Sequence, residues 1–303
     1  MAKAKASYPV LLVLCLQAFL LFYRLDLLPA WGDEIFTLLT VAHPASEIPG
    51  IVERDIHPPL YYLLLHGWAQ LRLPWTGLEA LRAFSGLAAL AATFLFDWLW
   101  ARRWKTGRRW VALALFAFAP SLLLYGRMAR SYALQTALGL LAISLLWRWM
   151  LQPQWGRFVA ALAALTALLY THYLPGIAVL IGFTLLAWRR IGFGRVAMFD
   201  AACLIAYAPW LIALTTAFRH WGEAGAFQSH YALAGSLVLE QGLKIAFAIL
   251  SLTIGETFFP ISLVLAPVMV FVIGWGCRKG RRNRLPHLLA AIAVIAYIGA
   301  SGG

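Results

Sequence analysis

The chain has 303 residues, 62% of them hydrophobic and 12% charged. That leaves too little polar surface to cover a water-soluble core, and the long continuous apolar runs exclude a β-barrel, whose strands alternate in polarity. The net charge of +13 would raise nucleic acid as a partner in a soluble protein. Here the basic residues fall in short clusters between apolar runs, as positive-inside topology signals do, so no nucleic-acid partner is expected.

The chain begins with Lys3 and Lys5, then an apolar run over about 9–25. No small-residue cleavage site precedes Arg24-Leu25-Asp26, so the run reads as an uncleaved first span with a cytoplasmic N-terminus. From Asp26 to Glu79 the chain carries seven acidic residues (Asp26, Asp33, Glu34, Glu47, Glu53, Asp55, Glu79) against two arginines, Arg54 and Arg72. Such a segment belongs on the outer face, and residues 24–79 are expected to form a long first outer loop. Within it, 58–71 is apolar but short for a crossing. A crossing there would also turn the basic cluster at 102–109 outward, so a juxtamembrane or partly inserted helix is expected, opened by Pro58-Pro59, where a missing N–H does no harm.

Further spans are predicted at about 80–100, 110–124, 131–150, 158–171, 173–188, 197–217, 237–253, 258–276 and 286–300, ten in all with the first. Basic clusters mark the inner ends: Arg102, Arg103, Lys105, Arg108 and Arg109; Arg148 with Arg157; Arg189, Arg190 and Arg195; Arg278, Lys279, Arg281 and Arg282. The poorly charged junctions near 127–132, 171–173 and 218–231 are expected outside. Two full crossings within 237–276 would expose the last basic cluster, so one of them is expected to be re-entrant or interfacial. Tryptophans and tyrosines gather near span ends as an interfacial belt. Cys15, Cys203 and Cys277 lie in or beside apolar runs without metal spacing and read as packing residues. The chain reads as one transmembrane domain, 1–303, with core spans over 80–217 and a further set over 218–303. It stops at Ser301-Gly302-Gly303 directly after an apolar run, as a fragment or short form would.

The outer junctions collect a polar set: Asp33 and Glu34 in Trp31-Gly32-Asp33-Glu34; Arg54, Asp55 and His57; Arg127, Arg130 and Tyr132; His172 and Tyr173. Taken singly, each has an ordinary reading as a solvated loop residue, a headgroup anchor or a satisfied buried histidine. Together they form a chemical pair. A carboxylate can take a proton from an attacking hydroxyl or amine, and arginines with a histidine can hold phosphate oxygens. This suits group transfer from a phosphate-linked donor, whose leaving group needs its charge neutralised. No glycine-rich nucleotide loop is present, and no acid or histidine spacing fixes metal ligands, so no cofactor or metal is expected.

The set resembles the polytopic GT-C glycosyltransferases, in particular the branch of the protein O-mannosyltransferases and the lipid A aminoarabinose transferases. The carriers are Trp31-Gly32-Asp33-Glu34, His57-Pro58-Pro59-Leu60-Tyr61-Tyr62, Leu81-Arg82, the stretch from Gly126 through Arg127, Arg130 and Tyr132 to Leu134, and Tyr170-Thr171-His172-Tyr173. Many members have Arg-Glu-Ala-Arg where this chain has Met128 in the place of the glutamate, and the usual C-terminal extension is missing. The resemblance implies an all-α GT-C-like bundle whose 218–303 portion is the more variable, with juxtamembrane helices in the first outer loop. It implies sugar transfer from a polyprenyl-phosphate donor to a lipid, glycan or protein acceptor at the outer face of a bacterial cytoplasmic membrane, by inverting displacement. Asp33 would activate the acceptor, with Glu34 as partner or alternative. Arg54, His57, Arg127, Arg130, Tyr132, His172 and Tyr173 would lie toward the donor phosphate. The rival reading is a transporter or lipid-carrier flippase, but such proteins spread ionisable groups along a path within the spans and often show inverted repeats.

Overall fold

A computed structural model describes residues 8–223 except 28, 56, 72 and 73. Over these residues the chain is helical apart from turns and short connections. The spans expected at 237–253, 258–276 and 286–300, most of the 218–231 junction, the basic cluster at 278–282 and Cys277 lie outside the described residues.

Helix α1 (Tyr8–Phe22) is followed by three short helices, α2 (Gly32–Ala42), α3 (Ile48–Arg54) and α4 (Leu60–Ala69). Then come α5 (Gly77–Leu99), α6 (Thr106–Ala117), α7 (Pro120–Gly126), α8 (Tyr132–Leu151), α9 (Trp155–Thr171), α10 (Tyr173–Ile191) and α11 (Phe193–Glu223). Four stretches are long and apolar enough to cross a membrane: Gly77–Arg103, Tyr132–Leu151, Tyr173–Ile191 and Phe193–Ala217. A fifth results if α6 and α7 count as one span, bent by 49°. The bend falls at Phe118-Ala119-Pro120, where proline lacks an N–H for the preceding turn and opens α7 from its first position. Two more apolar helices, Val10–Phe22 and Trp155–Thr171, are shorter. The 10 residues of α4 rise only about 15 Å, half a hydrocarbon core, which is the short helix expected at 58–71.

Small residues let the helices approach. Along one face of α5, Ala83, Gly86, Ala89 and Ala92 are buried, and Gly86 faces Phe22 of α1 and the carbonyl of Gly126. A Cβ on Gly126 would sit 2.6 Å from a terminal methyl of Leu21 and 3.0 Å from Ala89, so this glycine lets α1, α5 and α7 approach closely. At the turn between α9 and α10, a Cβ on Gly176 would meet Leu169 at 2.5 Å and its Cα at 3.0 Å. That glycine permits the tight reversal carrying His172 and Tyr173. Elsewhere the core is bulky: Trp149 of α8 packs against Phe158, Phe183 and Phe199, one ring from each of α9, α10 and α11.

The long helices, counting α6 and α7 as one, alternate direction, so their ends form two unlike faces. At one, Arg102 and Arg148 both lie over the Trp98 ring, and Arg190 lies over Trp147. At the other gather the end of α1, the starts of α2, α4, α5, α8 and α10, and the acidic residues of the 24–79 segment. The charge pattern read along the chain is thus a separation in space.

Candidate functional site

Asp33 and Glu34 both sit in the first turn of α2, where carboxylates complement the positive end of the helix. Adjacent helix positions differ by about 100° in direction, and here that difference separates their fates. Glu34 points inward and is fully buried, whereas the Asp33 side chain is 64% exposed.

Every lone-pair direction of Glu34 is used. Its Oε1 accepts from Arg82 Nε at 2.9 Å and from the Ala129 N–H at 2.8 Å; its Oε2 accepts from Arg82 Nη2 at 2.7 Å and from the Trp31 N–H at 3.2 Å. Burial acts to raise its pKa, but the Arg82 hydrogen bonds and the two backbone N–H groups outweigh it, and the carboxyl is held below its ordinary value. Arg82 in turn donates to the carbonyls of Leu25 and Pro29 at 2.7 and 3.1 Å. This buried pair therefore ties together the end of α1, the start of α2, α5 and the loop before α8. The expectation that Glu34 could serve as the alternative base meets a carboxylate with no free acceptor and no path to solvent.

Asp33 faces a different arginine. Its Oδ2 lies 3.4 Å from Arg130 Nη2, and the Arg130 side chain is 9% exposed. The same Nη2 is 3.1 Å from His57 Nε2, Nη1 reaches the Tyr62 hydroxyl at 3.5 Å, and the guanidinium lies 6.0 Å from the centre of the Tyr132 ring. The backbone holds Arg130 in place as well: Ser85 Oγ donates to its carbonyl, and the Tyr61 hydroxyl lies 3.1 Å from that Oγ. Burial pushes the Tyr62 phenol up to about 12 and Tyr61 higher still, so both stay neutral donors. On the far side of His57, Nδ1 lies 2.9 Å from Asp55 Oδ2 and 2.6 Å from the Asp55 carbonyl oxygen. Asp33, Arg130, His57 and Asp55 thus form one chain of contacts across segments far apart in sequence.

His172 stands nearby at the α9–α10 turn, stacked on Tyr173. Its Nδ1 is buried without a hydrogen-bond partner among the described residues. Burial lowers its pKa to about 4, with further lowering from His57 and Arg130. It is a neutral imidazole near pH 7 and offers a lone pair or an N–H.

Arg127 has another task. Its Nη1 donates to the carbonyls of Leu20, Leu21 and Tyr23 at 2.6, 3.3 and 2.8 Å, and its Nη2 to Arg24 at 2.8 Å. These are the orphan carbonyls at the end of α1, where a cation also complements the helix dipole. Arg24 itself adopts φ +48°, a left-handed helix end unusual for a side-chain-bearing residue. In these contacts Arg127 caps the end of α1. Arg54 ends α3, exposed, beside Asp55 in sequence; Tyr132 packs its ring on Tyr125 at 4.5 Å.

Sequence reasoning placed Asp55 in the outer polar set and Arg82 and Tyr62 within motifs of the resemblance, but gave none of the three a place among the acceptor-activating or phosphate-binding residues. An available signal was Arg82 itself: an arginine inside a predicted span requires a buried partner, and Glu34 was the carboxylate with the same need. Among the described residues no three Asp, Glu, His or Cys side chains converge as a metal site requires. Comparison of the chain with protein-family models, curated proteins and solved structures finds no match.

Proposed function

We propose that this chain is a membrane glycosyltransferase of the GT-C kind, moving a sugar from a polyprenyl-phosphate donor to an acceptor at the outer face of a bacterial cytoplasmic membrane. The observation that carries this reading is the Asp33–Arg130 pair: an exposed carboxylate within 3.4 Å of a nearly buried guanidinium. The acidic face is the outer one on the positive-inside argument, since the opposite ends of the helices carry the arginine clusters.

In this mechanism the donor phosphodiester takes over the Arg130 guanidinium, which binds phosphate oxygens with a planar fork. Releasing Arg130 leaves Asp33 free to accept the proton of the acceptor hydroxyl or amine. The acceptor atom bonds to the anomeric carbon as the bond from that carbon to the phosphate oxygen breaks. Arg130 stabilises the charge that develops on the lipid phosphate. Tyr62 and Tyr132, both against the Arg130 guanidinium, and His172 near it supply polar edges for the phosphate and sugar. Glu34 acts at one remove: it is the residue after Asp33 and binds the N–H of Ala129, the residue before Arg130, so it sets the spacing between base and clamp.

The test is purified protein in lipid nanodiscs with a radiolabelled polyprenyl-phosphate sugar and an envelope extract as acceptor source. Release of polyprenyl phosphate together with labelled acceptor is expected. Movement of the labelled lipid across the bilayer with no release of polyprenyl phosphate would overturn the transferase reading in favour of a flippase.

A further inference from the structure

The contact between His57 and Arg130 fixes which ring nitrogen accepts a hydrogen bond. Arginine has no lone pair to offer, so at 3.1 Å from Arg130 Nη2 the His57 Nε2 must be the acceptor. The imidazole proton then sits on Nδ1, donated to the Asp55 carbonyl oxygen at 2.6 Å, with the Asp55 carboxylate oxygen 2.9 Å from the same nitrogen. The arrangement is therefore a neutral imidazole between a carboxylate and a guanidinium. The carboxylate favours imidazolium; the guanidinium opposes it, because a second N–H on Nε2 would face an N–H of Arg130. The remaining charged or titratable groups around His57 are Tyr62 of α4, with ring centres 6.3 Å apart, Asp33 of α2 through Arg130, and His172 at the α9–α10 turn. Tyr62 and His172 are neutral near pH 7, so the balance is set by Asp55, by Arg130 and, through Arg130, by Asp33.

We infer that binding of a phosphodiester headgroup between Arg130 and His57 draws one proton onto His57, with Asp55 as the carboxylate that positions and sustains the imidazolium. This rests on the donor-phosphate reading of the site. An anion entering there supplies the acceptor that Arg130 found in His57 Nε2, and offers Nε2 a reason to carry its own proton. His57 then becomes a second cation toward the phosphate, held from behind by Asp55, in the manner of any imidazolium paired through its far nitrogen. The consequence extends to transfer. When the bond to the anomeric carbon breaks, the phosphodiester monoanion becomes a phosphate monoester dianion, and the extra charge appears beside an imidazolium already in place. The acceptor proton goes to Asp33; the proton on His57 came from solvent at binding. Linkage fixes the sign: a complex that holds one more proton than its free components binds more tightly as pH falls. The arrangement also makes Asp55 a positioning residue for donor binding, a role its place in an acidic loop does not suggest.

The experiment is titration calorimetry of the nanodisc-embedded protein with farnesyl methyl phosphodiester, near neutral pH, in buffers of different ionisation enthalpy. The probe's single charge does not titrate in that range, so any proton exchanged belongs to the protein. Wild type is expected to take up a large part of one proton per probe bound. Asp55→Asn should cut that uptake severely and weaken binding about tenfold, roughly 1.4 kcal/mol, and His57→Gln should abolish the uptake. Binding by wild type without buffer-dependent heat, or uptake that persists in His57→Gln, would overturn the inference while leaving the phosphate site standing. Absence of any binding of the probe would overturn the phosphate reading itself, and the inference with it.

Discussion

Each end of the bundle holds a buried ion pair of the same chemistry. At the basic end, Arg109 grips both oxygens of Asp97 at 2.7 Å each; at the acidic end, Arg82 grips both oxygens of Glu34 at 2.9 and 2.7 Å. The first joins α5 to α6, twelve residues apart. The second joins segments forty-eight residues apart, and its carboxylate also takes backbone N–H groups from two loops. What separates the ends is the neighbourhood. Beside Glu34–Arg82 stands a second set, Asp33, Arg130, His57 and Asp55, partly open to solvent and held at longer distances. A closed pair serves the fold; half-open charges next to a rigid pair can bind and exchange protons. The difference teaches that the burial of a charge in this chain marks support, and the exposed neighbour of a buried charge marks the place to look for chemistry.

The comparison breaks most visibly by removing one partner of each pair. Glu34→Ala and Asp97→Ala each leave an uncompensated buried arginine and should lower stability by about 3–5 kcal/mol, read as thermal unfolding in detergent. Only Glu34→Ala should also depress transfer per folded molecule, because only that pair spaces Asp33 from Arg130. Equal transfer by the two folded variants would remove the positional role given to Glu34.

Replacing Arg130 by lysine keeps the charge and loses the fork that spans phosphate, His57 and Tyr62. Phosphodiester affinity should fall by about tenfold or more, measured by calorimetry, with little change in unfolding temperature. The corresponding Arg109→Lys at the basic end should leave that affinity unchanged and cost stability.

Acid separates the ends by a smaller amount. His172 has a folded pKa of about 4 against 6.5 when unfolded, so below 6.5 the unfolded chain binds a proton that the folded one refuses. Stability is whole above pH 6.5 and declines as pH falls toward 4. His172→Gln should flatten that part of the unfolding profile. Glu34, held below 4.5, has the carboxylate sign: its contribution is present above 4.5 and is lost as pH falls through its lowered folded value.

Arg127→Gln is the mildest change. It withdraws the cation from the end of α1 and should cost about 0.5–2 kcal/mol, with transfer retained once the protein is folded. A loss of phosphodiester affinity in this variant beyond its loss of stability would place Arg127 at the donor site.

Much of the bundle was legible because hydrophobic length and charge are local properties. The predicted 80–100, 131–150, 158–171 and 173–188 fall within a few residues of α5, α8, α9 and α10, and α4 occupies the short apolar stretch at 58–71. The helices α2 and α3 were not located, since their apolar faces alternate with the acids and prolines of a loop-like segment. Asp33, Asp55, His57 and Arg130, which contact one another, were legible as members of one polar set, through the junctions that carry them. Their division of labour was not. Whether Asp33 or Glu34 faces the core depends on the phase of α2, and that phase is set by Arg82 and by the Ala129 N–H, groups distant in sequence. Likewise nothing near Arg127 announces that its partners are the carbonyls of α1.

The central claim is that Asp33 activates the acceptor while Glu34 and Arg130 position and clamp. Its most direct test is single-turnover sugar transfer by Asp33→Asn at saturating donor, beside phosphodiester affinity measured on the same preparation. The account predicts transfer reduced by about 10²–10⁴-fold, with affinity unchanged or tighter, because Arg130 loses the carboxylate that competes with the phosphate. Transfer at the wild-type rate in Asp33→Asn would contradict it.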